Sequence, residues 1–504
     1  MDWEFTKRVL DGLNAGTIIP PDLQFDSFPG LGGDILDLRA GSRPSFQRDR
    51  VESVFAHYLP GHKTSWTGIK DQMISPTEKE LENLGLALIP VTAFGLLNGG
   101  MATSYTDTKK NQSFGPDLYT RLRIPLEQAA RDFGHLPKGM TPAFFQQDNF
   151  PGPTYLELKV RHLLMLNAAA RMQGHHGPGL QLFQMTSQNT DAAIRNFWTE
   201  LNGSAGIKEW LEFSPIPLIS TPTAVQELVG TFTSAASGTP RQLFLVGNQG
   251  ESEPYALPAG HGQNFRVLGP VYRDLEKQGY QFVYLGNIDN LGYLPSLKGL
   301  AVLALRGAPA AFDFSFKTKI DVKGGVLYQQ TNGKLNCADI GVAIDREKVR
   351  EADRLGTPIL FNCATGLFDL RKLTKNLDHI VEKLPIRISE QDKDVGRYAQ
   401  AEQITWEVIG LLEHPLIYGV EKNRRFLAAK LLLDCFLTSG LLGGDQGESG
   451  EMVEFASLSR VLNEGLNFLM EGPLAYHQQL NRWVPRSRNE LEATLKTNWR
   501  FLSV

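Results

Sequence analysis

The sequence predicts an α/β protein built on a doubly wound sheet, with polar turns gathered at one end of the strands. Three observations carry this expectation. Short apolar runs at residues 86–97, 180–185, 282–285 and 358–361 read as buried strands. Stretches with helical apolar spacing, such as 192–201, alternate with them. Each run then opens into a polar or glycine-bearing turn, and ligands of such sheets collect beyond the carboxyl ends of the strands.

At 504 residues the chain exceeds what one hydrophobic core usually organises, so a central domain with appendages is expected. Residues 1–80 are rich in turn formers (Pro20, Pro21, Pro29, Gly30, Gly32, Gly33) and read as an N-terminal mixed segment. Residues 81–396 read as the core. Within it the polar segment 105–135 looks like an insertion at its edge. Residues 397–504 read as a helical C-terminal region: 399–412, 423–442 and 457–470 have helical apolar spacing, and Gly443 to Glu448 separates the last two. The amphipathic stretch 461–469 suits a packed core face or, alternatively, a homo-oligomer contact.

A net charge of -4 leaves nothing global to recruit nucleic acid or an anionic membrane, so any phosphate recognition must be local. No run approaches the roughly 18–20 apolar residues of a membrane span. Cys337, Cys363 and Cys435 are widely separated and form neither a disulfide framework nor a zinc pattern. A cytoplasmic protein is expected.

The chemistry-bearing residues lie in the turns. Gly99 and Gly100, after Leu97 and Asn98 and before Met101, Ala102, Thr103 and Ser104, leave backbone N–H groups able to approach a phosphate or a base. The same pair also marks a plain tight turn. No G-x-x-x-x-G-K-[ST] loop occurs, and no buried strand precedes Gly30, Gly32 and Gly33. Asp289, between Asn287 and Asn290 at a strand's end, suits Mg²⁺ whose octahedron a nucleotide's phosphates complete, or alternatively a turn cap. His261 stands between Gly260 and Gly262, where backbone could pack flat against a ligand, although a lone histidine there is more often a structural hydrogen-bonder. Lys138, Lys323 and Lys430 are the candidate phosphate partners. Apolar neighbours would partly bury Lys430, and a buried ammonium calls for an anion.

In order, these pieces resemble the UTP–glucose-1-phosphate uridylyltransferase family. Leu97-Asn98-Gly99-Gly100 is similar to its L-N-G-G loop start, Pro137-Lys138-Gly139 to the P-K that closes that loop, and Thr154 to Leu158 to T-F-L-D-L. Met185 to Thr190 resembles M-[NT]-S-x-x-T, Gly260-His261-Gly262 its G-H-G, and Asn287 to Gly292 its N-x-D-N-L-G. Asp321 to Gly325 is similar to D-V-K-G-G, Phe361-Asn362 to the start of F-N-T-N-N, and Arg425-Phe426-Leu427 with Lys430 to R-F-L-P-V-K. The resemblance implies a Rossmann-like, GT-A-like nucleotidyltransferase sheet and the formation of a nucleotide sugar, UDP-glucose by default, from UTP and a sugar-1-phosphate. It implies that Lys138, Lys430 and Asp289 are catalytic, with Asp289 holding Mg²⁺. It further implies that Leu97, Asn98, Gly99, Gly100, Thr103, Gly260, His261 and Asn287 contact nucleotide, and that Lys323, Gly324, Gly325 and Asn362 contact the sugar. A non-catalytic nucleotide-sugar binder on the same scaffold is the alternative. The chain departs from the pattern at six places, two of them Ala102 where the loop has a glycine and Gln263 where an acidic residue follows G-H-G. About thirty residues separate Ser104 from Pro137, which makes Lys109 and Lys110 rivals of Lys138. Phe232-Thr233-Ser234-Ala235 stands where F-x-Q-S reads uracil, Asn362-Cys363-Ala364-Thr365 replaces the sugar turn, and helical spacing replaces a C-terminal β-helix.

Overall fold

The computed structural model describes residues 1–18, 23–39, 41–60, 66–103, 105–235, 239–247, 252–318, 321, 323–393, 395–442 and 451–497. Pro20, Pro21, Ser104, Val322 and the separator 443–448 lie outside these described residues. A central mixed sheet of 11 strands is flanked by helices, as the sequence predicts. In chain order its strands are β1 (Phe25–Ser27), β2 (Ile35–Asp37), β3 (Thr92–Leu97), β4 (Gln181–Ser187), β5 (Thr223–Gln226) and β6 (Phe282–Asn287). Then follow β7 (Ala310–Phe316), β8 (Gly325–Gln330), β9 (Leu335–Asp339), β10 (Leu360–Asp369) and β11 (Leu416–Val420). The order across the sheet is β2-β11-β7-β10-β6-β3-β4-β5, with β8 beside β10 and carrying β1 and β9. Strands β6, β3, β4 and β5 are mutually parallel, whereas β10 runs antiparallel between β6 and β7.

The strands are apolar on both sides because both faces of the sheet are covered. Phe94 and Leu96 pack with the helices Glu78–Leu88, Tyr155–Met172 and Leu297–Arg306. Ala93 and Leu97, one residue out of phase, pack with Gly269–Lys277 and Leu370–Lys383 on the other face. Each fully buried large side chain contributes about 1.5–3 kcal/mol.

Several elements differ from their sequence-based expectation. The run 86–97 is only half strand: residues 86–88 close the helix Glu78–Leu88, which opens on a Thr77/Glu80 capping box, and Pro90 turns the chain before β3. An apolar run buried on all sides has no period to separate helix from strand. The run 358–361 continues as β10 to Asp369, with a register shift against β7 and Ala364 at φ 52°. Asn362 therefore sits near the start of an antiparallel strand. That start lies at the same end of the sheet as the carboxyl end of β6.

Residues 399–412 are not a helix. They continue the strand Gly396–Glu402, paired with Arg387–Lys393, and then a 3-10 segment, Thr405–Leu411. Residues 423–442 are helical only at Lys422–Arg425 and Leu432–Thr438. Between these the backbone bonds to distant groups instead of to itself: Asn290 binds Leu427 N–H and Lys138 binds Ala429 O. Strands β2 and β11 also bring stretches of 1–80 and 397–504 into the central sheet.

The insertion forms the helices Thr108–Phe114 and Pro116–Phe133. Leu118, Leu122 and Leu126 are buried, and the second helix packs on Leu432–Thr438 and Glu451–Met470. Leu466 and Leu469, within the stretch considered for association, enter the chain's own core. Among the described residues no helix is long and apolar enough to cross a membrane.

Candidate active site

Parallel pairing sets Leu97 of β3 opposite Asn287 of β6, so the turns that follow lie side by side. The Ile288 N–H donates to Leu97 O at 3.3 Å and ties them together. Asn98 is fully buried, its side-chain amide donating to Gln184 Oε1 at 3.3 Å and its backbone N–H to Met185 O at 2.9 Å. It anchors the loop from below. Gly99 O accepts the Ser187 hydroxyl at 2.8 Å. Gly100 faces open space, where a Cβ would meet nothing within 4 Å, and Thr103 is exposed.

Despite the insertion, Pro137 and Lys138 close this loop. The Lys138 N–H donates to Gly100 O and the Ala102 N–H to Leu136 O, both at 3.0 Å. Lys109 and Lys110 lie on the helix Thr108–Phe114, and it is Lys138 that reaches the site. Its Nζ donates to Asp289 Oδ2 at 2.6 Å and to Ala429 O at 2.5 Å, and stands 5.1 Å from the centre of the Tyr105 ring. Burial alone would raise the Asp289 carboxyl; the ammonium groups of Lys138 and Lys430 outweigh it and hold the group below its ordinary value. Lys430 is exposed, contrary to the burial its neighbours suggest, because the chain leaves helical geometry at 426–431. Its charge still acts on Asp289, His261 and Asp339.

His261 Nδ1 accepts the Thr405 N–H at 3.2 Å and lies 2.7 Å from the Thr405 hydroxyl. An Nδ1 that accepts leaves the proton of the neutral ring on Nε2. Burial, helped by Lys430 and opposed by Asp289, pushes the imidazole down to about 4, so it is neutral near pH 7. The flanking glycines pack against protein, not against a ligand. Gly260 has φ 79° and a Cβ there would lie 2.4 Å from Gln403 O, while the Gly262 N–H donates to the same oxygen at 2.8 Å. These contacts are what require glycine.

On the other side of the turn after β6, Gly324, Gly325 and Asn362 come together. Gly324 has φ 130° and abuts the Phe361 ring; a Cβ on Gly325 would come within 3.5 Å of Asn362. Asn362 is 6% exposed and bonds inward, to Cys337 Sγ and the Ala364 N–H. Lys323 is exposed. Asp339, at the end of β9 opposite Gly325, faces the same region. Burial raises its carboxyl, partly offset by Lys430 and Arg387, and burial together with Asp339 raises Glu402.

Five residues of this arrangement were not among the sequence candidates. Asn290 donates to Cys363 O and Arg425 O and accepts from the Gly292 and Leu427 N–H groups, all at 3.0 Å. Lys159 is 1% exposed and donates to Asn290 O, Leu291 O and Tyr293 O. A lysine amid the apolar residues 155–170 was its signal. Tyr105 belongs to the insertion, and Asp339 closes the unremarkable strand β9. Gln226 closes β5 and donates to Gly260 O at 2.9 Å. Phe232 and Thr233, by contrast, pair with the strand Gly396–Glu402 outside the central sheet.

Residues 241–448 match the family model of UTP–glucose-1-phosphate uridylyltransferase. The protein of that name from Encephalitozoon cuniculi is 24% identical over 293 residues, 58% of this chain and 53% of the relative. The one from Solanum tuberosum is 29% identical over 290 residues, 57% of this chain and 55% of the relative. The chain thus spans about half the length of these curated relatives. Among solved structures, UDP-glucose phosphorylase from Trypanosoma brucei aligns with a TM-score of 0.50 at 18% identity, over 73% of this chain and 67% of that one, a likeness of fold. The glycine loop, the lysine that closes it and the aspartate turn assemble at one end of the sheet, and over residues 241–448 the chain is similar to the UTP–glucose-1-phosphate uridylyltransferase family.

Proposed function

We propose that the chain is a nucleotidyltransferase that joins UTP and a sugar-1-phosphate into a nucleotide sugar, UDP-glucose by default, with release of pyrophosphate. An oxygen of the sugar phosphate attacks the α-phosphorus. The new P–O bond forms as the bond to the α–β bridging oxygen breaks, and pyrophosphate leaves with that electron pair. Such a transfer needs positioning and charge neutralisation, not a protein nucleophile. The observation that carries the proposal is the Lys138–Asp289 contact at 2.6 Å, made where the glycine loop meets the turn after β6. Lys138 and Lys430 supply the positive charge, Gly99 and Gly100 the open backbone, and neutral His261 a donor rather than a charge. Asp339, Gly325 and Asn362 form the side assigned to the sugar, and Gln226 the polar group nearest the Gly260–Gly262 turn that could read a base.

Mg²⁺ is part of the proposal. It is held by one or two carboxylates plus substrate phosphates, and Asp289 offers one such carboxylate. Among the described residues no group of three or more His, Cys, Asp or Glu could hold a metal unaided, so the phosphates would complete the shell. When bound, the ion neutralises phosphate charge. A cytoplasmic setting belongs to the same proposal, supported by three buried cysteines that remain free thiols.

The test is pyrophosphate release by the full chain with UTP, Mg²⁺ and a panel of sugar-1-phosphates. Release with at least one sugar, lost in Lys138→Ala, is expected; no release with any pair overturns the proposal.

A further inference from the structure

At the end of the sheet opposite the candidate active site, a cavity of about 650 Å³ opens where β7 and β11 begin. This volume falls within the roughly 300–1,000 Å³ of small-molecule sites. Four cations line it: Arg50, Arg306, Lys372 and Lys375. They come from three separate helices, Arg48–Tyr58, Leu297–Arg306 and Leu370–Lys383, so the convergence is tertiary and not the face of one element. Lys372 is occupied, donating to Gly307 O at 2.5 Å.

The other three are not. Among the described residues Arg50, Arg306 and Lys375 make no ion pair and no side-chain hydrogen bond; the Arg306 guanidinium lies 5.6 Å from the centre of the Phe46 ring, and its Nε is buried without a hydrogen-bond partner. The acids in the wall already have other partners: Glu413 holds Lys334 at 2.8 Å, and Asp34 lies 3.1 Å from His414. Three unneutralised cations around one hollow are a poor arrangement for the protein alone, because like charges repel and a buried donor without an acceptor costs about 1–3 kcal/mol. An anion with several oxygen acceptors answers both.

We propose that this cavity is a second, non-catalytic binding site for a small phosphate ester. The phosphate would be taken by Arg50, Arg306 and Lys375, and the organic body by the rest of the hollow, which is far larger than a phosphate ion. Arg and Lys match phosphate oxygens through charge-assisted hydrogen bonds.

The probe is glucose 6-phosphate, titrated calorimetrically into the full chain, into Lys138→Ala and into Lys138→Ala carrying also Arg50→Ser and Lys375→Ser. Binding that persists in Lys138→Ala and weakens about tenfold or more in the triple variant is expected. Hydrogen exchange should slow at residues 307–309 and 372–376 on ligand addition. Inorganic phosphate should bind more weakly than the ester. Arg50 and Lys375 are exposed, so an unchanged unfolding midpoint of the triple variant confirms that the loss is local. No binding in Lys138→Ala, equal affinity in the triple variant, or equal affinity for inorganic phosphate overturns the proposal.

Discussion

Lys138 binds two acceptors at once, and the two belong to different segments, Asp289 after β6 and Ala429 before the helix Leu432–Thr438. The same ammonium thus neutralises a buried carboxylate and fixes the segment that carries Lys430. Lys138→Ala is expected to lower kcat about 10²–10³-fold, the cost typical of losing one preorganised charge-stabilising donor. Lys138→Arg should recover only part of this, since a planar fork cannot replace a compact ammonium in the same space. Steady-state kinetics with the preferred sugar-1-phosphate decides, and a kcat unchanged in Lys138→Ala would remove Lys138 from the chemistry. His261 makes a prediction of opposite character, about pH. Its folded pKa is depressed to about 4, from an ordinary value near 6.5, chiefly by burial. Between those values the unfolded chain binds more protons than the folded one, so stability rises with pH across the window. The contribution is fully present above about pH 6.5 and is lost as pH falls toward 4. Thermal unfolding from pH 7 to 4 should show a midpoint that falls less steeply in His261→Gln, the remaining slope including His162, which burial also depresses to about 4; an identical slope in the variant would contradict this origin.

The turn after β6 owes its shape to Asn290 more than to Asp289. Both carboxamide donors and the acceptor oxygen of Asn290 are used, on backbone groups of three segments: residues 292, 363 and 425–427. Lys159 holds the carbonyls on the other side of that turn. Asn290→Ala leaves Arg425 O and the Gly292 and Leu427 N–H groups without that partner, and Cys363 O with the Thr365 hydroxyl at 3.3 Å, at about 1–3 kcal/mol for each orphaned group that water cannot reach. A loss of more than about 2 kcal/mol in denaturant unfolding is expected, with kcat reduced because segment 425–430 loosens. Stability within about 0.5 kcal/mol of the unsubstituted chain would refute the clamp. This contrast also explains what could be read from the sequence. The glycine loop and Asp289 were legible because each follows its own strand directly, and Lys138 because it closes the same loop. Asn290 and Lys159 bond the backbone of segments far along the chain; a lysine in an apolar stretch signals burial, but neither residue's local sequence names its partners. The same cause misled the expectation for 423–442: its apolar spacing is helical, yet residues 426–431 bond to Asn290, Lys138 and Asp434 instead. At 399–412 pairing across the sheet prevailed over helical spacing, because Tyr398, Ala399 and Ala401 are buried by partner strands.

The sheet itself is assembled from most of the chain. Strand β11 pairs with β7 on one side and β2 on the other, so a segment after residue 396 and one before residue 81 complete the edge that the core begins. Leu416, Ile417, Tyr418 and Val420 are each at most 8% exposed. At about 1.5–3 kcal/mol for each such side chain, their burial is comparable with the roughly 5–15 kcal/mol that separates folded from unfolded proteins. Removing β11 would also bare the edge of β7, leaving unpaired N–H and C=O groups along an apolar strand, an invitation to aggregation. The insertion adds to this interdependence, since the helix Pro116–Phe133 rests on the C-terminal helix Glu451–Met470 and Tyr105 lies against Lys138. A chain of residues 81–396 alone is therefore expected to aggregate or to lack a cooperative unfolding transition. The full chain should lose its sheet in a single transition. Circular dichroism during denaturant unfolding, with light scattering on the fragment, tests this. A soluble 81–396 fragment with a sharp transition would mean that the sheet is stable without its outer strands, and that the N- and C-terminal stretches only decorate it.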